Sequence, residues 1–67
     1  MRTQILKSLK AQAEGQIEVH KTNVEVYLKF PVGVGEHSDI LETISKELAQ
    51  IAELEDQLFV VEKHFDA

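Results

Sequence analysis

The chain has 67 residues, with 7 Lys+Arg against 12 Asp+Glu, a net charge of −5 and no cysteine. A chain this short holds one domain at most, and without cysteine it has neither a disulfide framework nor a thiolate metal site. A pI near 5.0 lacks the basic footprint that neutralises phosphates, which argues against nucleic acid as the partner.

The first segment runs from residue 3 to about 29. Leu6, Leu9, Ala13, Ile17, His20, Val24, Tyr27 and Leu28 recur at spacings of three and four, the mark of one helix face. Val24, Val26, Leu28 and Phe30 also alternate, so a strand here is the competing expectation. Its only partner would be Leu58-Phe59-Val60-Val61, and that α-β-α-β arrangement would cut a better helix in two. Gly15 falls inside the first helix, either as a tolerated surface glycine or as a close crossing or hinge, at a cost of about 1 kcal/mol relative to alanine.

Breakers then cluster in Phe30-Pro31-Val32-Gly33-Val34-Gly35-Glu36-His37-Ser38-Asp39. Proline pushes the residue before it out of helix, and the glycines free the turn. Gly33-Val34-Gly35 is too little for a phosphate loop, because no further glycine or Gly-Lys-Ser/Thr follows. Glu36, His37 and Asp39 form the one candidate for loop binding of a divalent ion or small ligand. A helix cap and a solvated loop explain the same residues more simply.

The second segment, 39–64, is the stronger helix. Ile44, Leu48, Ile51, Leu54, Leu58, Val61 and Phe65 mark one face. Asp39 with Glu42 three residues on resembles a capping box, and Glu42 to Lys46 is a favourable i,i+4 pair. The acidic run Glu53, Glu55, Asp56 reads as a solvated face or as a docking surface for a basic partner.

These elements predict an all-α protein: an antiparallel two-helix hairpin over 1–67, with helix 3–29, loop 30–38 and helix 39–64. In that register Leu28 lies opposite Ile40, Val24 opposite Ile44, His20 opposite Leu48 and Ile17 opposite Ile51. Residues 1–30 carry five basic and three acidic groups, net +2, and residues 31–67 carry two and nine, net −7. The arms attract each other, and copies of the second half repel. A single hairpin also has more apolar surface than one stripe uses, and small folds without staples often rely on self-association. A homo-oligomer, a dimer forming a four-helix bundle, is therefore expected. Its core or interface would use Leu9, Ile17, His20, Val24, Ile44, Leu48, Ile51 and Leu58.

His20, His37 and His64 are separated along the hairpin, so no metal site, cofactor or catalytic residue is assigned. The chain is expected to be a non-enzymatic interaction module. No segment approaches the ~18 apolar residues of a membrane span, and the first residues lack the apolar core of a signal peptide. A cytoplasmic protein without membrane contact is the expectation.

The runs His20-Lys21 and Asn23-Val24-Glu25-Val26-Tyr27-Leu28, then Pro31 through Ile40, resemble short uncharacterised proteins of tailed myoviruses that infect marine cyanobacteria. The resemblance covers about residues 20–65. It implies a phage accessory protein at work in an infected cell. It brings no functional residues with it. The alternative to the self-associating module is a regulatory adaptor that docks on a host or phage protein through the spare apolar stripe and the acidic face of the second helix.

Overall fold

The computed structural model describes residues 1–31 and 39–65. Helix α1 spans Arg2–Lys29 and helix α2 spans Ile40–His64. The arms lie antiparallel in a rod of 47 × 16 × 15 Å, as 28 residues at about 1.5 Å each require. There is no strand among the described residues: 24–29 continue α1. A single strand here would leave its backbone groups unpaired, whereas the helix pairs them internally.

Local chemistry sets the ends. Phe30, held before Pro31, leaves helical space at φ −131°, ψ 65°, the restriction proline places on its predecessor. Asp39 caps α2 by accepting from the Leu41 N–H at 2.9 Å. The Glu42 carboxylate goes to Lys46 Nζ at 3.5 Å, so the expected i,i+4 pair forms. Lys63 and His64 occupy the last turn of α2, and Glu42 its first, each complementing the helix dipole. At the open end of the hairpin, Arg2 Nη2 donates to the Phe65 carbonyl at 2.5 Å, tying the start of one arm to the end of the other. A Cβ at Gly15 would meet nothing within 4 Å, which makes it a surface glycine within this chain.

The core is small. Among the described residues only Ala13, Ile17 and Leu54 are buried, at 6, 9 and 8% exposure, with Ile51 and Leu58 packed against them. Around them the less exposed positions follow a strict rule. In α1 they are Leu6, Lys10, Ala13, Ile17, His20, Val24 and Tyr27, joined by Asn23. In α2 they are Ile40, Ile44, Glu47, Ile51, Leu54, Leu58 and Val61, joined by Thr43. Apart from those two additions, the spacing alternates four and three on both arms. That is the 3.5-residue repeat with which two helices keep one seam facing the other.

Candidate interaction surfaces

The seam carries an unexpected polar layer. His20 Nδ1–H donates to Glu47 Oε2 at 2.6 Å, and Asn23 Nδ2 donates to Glu47 Oε1 at 3.2 Å. The carboxylate thus takes one donor on each oxygen. The His20 and Glu47 side chains keep 25 and 16% of their exposure, so the group sits at the edge of the seam. No buried side-chain N or O among the described residues lacks a partner. A layer with this many matched donors and acceptors penalises a slip of one arm along the other, because a slip strands the carboxylate among apolar neighbours.

This layer corrects the expected register by one residue: His20 faces Glu47, and Leu48 lies outside the seam at 52% exposure. Leu9 is displaced in the same way, 48% exposed while its neighbour Lys10 takes the seam position. Of the other expected core or interface residues, Ile17 is buried, and His20, Val24, Ile44, Ile51 and Leu58 are half-buried. Glu36 and His37 lie outside the described residues. Asp39, the third loop candidate, uses its carboxylate to cap α2. His64 stands edge-on to Phe65, ring centroids 6.2 Å apart, far from His20. No cluster of three metal-ligating side chains occurs among the described residues, and no helix among them is long and apolar enough to cross a membrane.

The two arms leave different surfaces uncovered. On α1, placed at about 100° per residue, the charges from Lys7 to Lys29 fall within roughly 100° of arc on one flank of the seam. The other flank presents Ile5, Leu9, Val19 and Val26, all exposed. On α2 the uncovered apolar residues are Leu41, at 75% exposure, Leu48 and Phe59, with Glu55 and Glu62 between and beyond them at the same face, and Val60 on another face. Lys63 Nζ stands 5.6 Å over the Phe59 ring, a cation–π contact that partly shields it. An open groove of about 560 Å³ runs beside the seam near the loop, where Lys21, Val24 and Val26 of α1 meet Leu48 and Ile51 of α2.

Sequence periodicity missed Lys10 and Glu47 because it assigns apolar residues to a face, and each has an apolar neighbour. The available signal was the alternation of four and three itself, which from Ile17 and Leu54 reaches Lys10 and Glu47. No protein-family model matches the chain, and neither a curated protein nor a solved structure matches it.

Proposed function

We propose that the protein is a non-enzymatic interaction module whose working unit is a homodimer of hairpins, a four-helix bundle with a shared core. The supporting observation is the amount of surface the single chain leaves uncovered. A compact fold of 7.6 kDa exposes about 4,300 Å², whereas this chain exposes 5319 Å². Its radius of gyration is 15.2 Å, against about 11 Å for a compact chain of this length. With three buried residues and twelve exposed large hydrophobics among those described, the hairpin has little core to hold itself together. A second copy supplies apolar partners for the residues the first leaves uncovered.

Light scattering at micromolar concentration tests this reading, combined with helicity across a dilution series. The expected result is about twice the 7.6 kDa chain mass, with mass and helicity falling together on dilution. A fully helical monomer at low concentration overturns it.

A second reading is supported by the uncovered face of α2, where Leu41, Leu48 and Phe59 sit among carboxylates. There the module is an adaptor that docks on a host or phage protein bearing apolar and basic groups. It predicts a monomer that gains stability only with that partner. The resemblance to cyanobacterial myovirus proteins would set either activity in the cytoplasm of an infected cell.

A further inference from the structure

Resting on the dimer reading, we infer that the dimer forms through α1: the charge-free flank of α1 packs antiparallel against the same flank of a second copy, across a two-fold axis between residues 17 and 18. The α1 seam has a shadow one residue earlier. Ile5, Leu9, Gln12, Gln16, Val19 and Val26 each precede a seam position, as does Asn23. This second stripe therefore repeats the four-three alternation of a helix-pairing seam, rotated by about 100°. It carries no charged residue. An ordinary solvent-facing flank of a helix is charged, and the opposite flank of α1, with Lys7, Glu14, Glu18, Lys21 and Glu25, is.

The stripe is also close to palindromic in polarity. About an axis at 17.5, Leu9 meets Val26 of the copy, Gln12 meets Asn23, and Gln16 meets Val19. Ile5 falls opposite Phe30, the exposed residue just past the helix. Apolar groups stand over apolar ones toward both ends, Gln12 stands over Asn23, whose amide also serves Glu47 across the seam, and beside the axis Gln16 stands over Val19. Self-complementarity of this kind is what a two-fold interface demands, because each residue must suit the partner of its own mirror position.

Charge and geometry choose α1 over α2 as the contact. Helix α1 has five basic and three acidic residues, net +2, while α2 has six acidic and two basic, net −4. Pairing α2 with its copy would bring two acidic helices together at cost. Ile5, Leu9 and Val19 each precede an α1 seam position, and Leu41, Leu48 and Phe59 each follow an α2 seam position, which in antiparallel arms sets these two groups on opposite sides of the hairpin; Val26 shares a groove with Leu48, and Leu28 and Val60 belong to neither group. Joining α1 of one copy to α2 of the next would therefore be head-to-tail, and would extend rather than close.

Because the chain has no cysteine, single cysteines report the geometry directly. In the antiparallel pair the two copies of position 19 are offset by only about 4.5 Å along the axis, whereas those of position 26 are about 25 Å apart. Treated with a short bis-maleimide, Val19→Cys should yield about tenfold more cross-linked dimer than Val26→Cys or Leu48→Cys, given those separations. Val19→Glu, which places a carboxylate at the centre of the contact, should weaken dimerisation by at least about 100-fold, and Leu48→Asp should leave the mass unchanged. If Val19→Glu also unfolds the chain, the folded Val19→Cys protein still decides.

Preferential cross-linking at 48 or at 26 overturns the α1 contact, as does a Val19→Glu protein of unchanged mass. In each of those cases light scattering still finds a dimer, so the dimer reading survives while this one fails. A wild-type monomer by light scattering overturns both.

Discussion

Two adjacent stretches of the seam are built on opposite principles. From Ala13 to Ile17, against Ile51, Leu54 and Leu58, the arms meet through apolar side chains alone. One turn further toward the loop, His20 and Asn23 meet Glu47 through two hydrogen bonds. The apolar stretch supplies cohesion, because removing that surface from water is favourable wherever along the arms it happens. It is tolerant of slippage for the same reason. The polar stretch contributes little net cohesion, since its groups were satisfied by water before folding. Its geometry is satisfied at one register only, so the difference between the two is a division between adhesion and alignment.

The largest effect belongs to the apolar stretch. Leu54→Ala removes the best-buried side chain of α2 and should cost about 3 kcal/mol, enough to leave so small a fold largely unstructured at room temperature by circular dichroism. A loss below about 1 kcal/mol would mean that the seam is not the core.

Breaking the polar stretch from one side should cost less. Glu47→Ala leaves the donors of His20 and Asn23 without their acceptor at the edge of the seam, an expected loss of about 1–2 kcal/mol in urea unfolding. Removing both sides should cost less again. The double variant His20→Leu/Glu47→Leu is expected to match or exceed the parent in stability, by up to about 2 kcal/mol, because an apolar pair replaces a partly desolvated, hydrogen-bonded polar one. What it should lose is uniqueness. Amide resonances near the Arg2–Phe65 end should broaden or double as alternative registers become populated. A sharp, single set of resonances in the double variant would show that the polar layer does not align the arms.

The smallest effect is expected just outside the seam. Leu48→Asp, one residue from Glu47, should change stability by no more than about 0.5 kcal/mol, as substitutions at exposed sites do. Had Leu48 faced His20, as apolar periodicity alone suggests, the same change would unfold the chain. A collapse of helicity in Leu48→Asp would therefore return position 48 to the seam.

Much of this architecture is legible without coordinates. Pro31 and the residues before it end α1, Asp39 begins α2, and the spacing of Ile17, Ile44, Ile51 and Leu54 marks the faces that meet. The register is legible to within one residue, since two long arms and a short connection leave few alternatives. The residues that align the arms are not. Lys10 and Glu47 are charged, and a charged residue beside Leu9 or Leu48 reads as the solvent neighbour of a core leucine. Helix geometry allows either assignment locally, because a shift of one residue turns the face by only about 100°. The charge-free flank of α1 escapes notice for a related reason: it is a second periodic stripe, and the first one already accounts for a folded hairpin.

What the sequence by itself determined is the kind of object: two amphipathic helices, a break between them, opposite charges on the two arms and no cysteine for a disulfide or thiolate staple. Those properties follow from local propensity and composition, which act within a few residues. The tertiary structure alone decided which of two neighbouring residues enters the seam, and so decided that a histidine, an asparagine and a glutamate meet. That choice depends on how all seven turns of both arms interlock at once. Placing Leu9 and Leu48 inside would turn other positions of the repeat, among them Ala13, Ile17 and Leu54, away from the opposing helix.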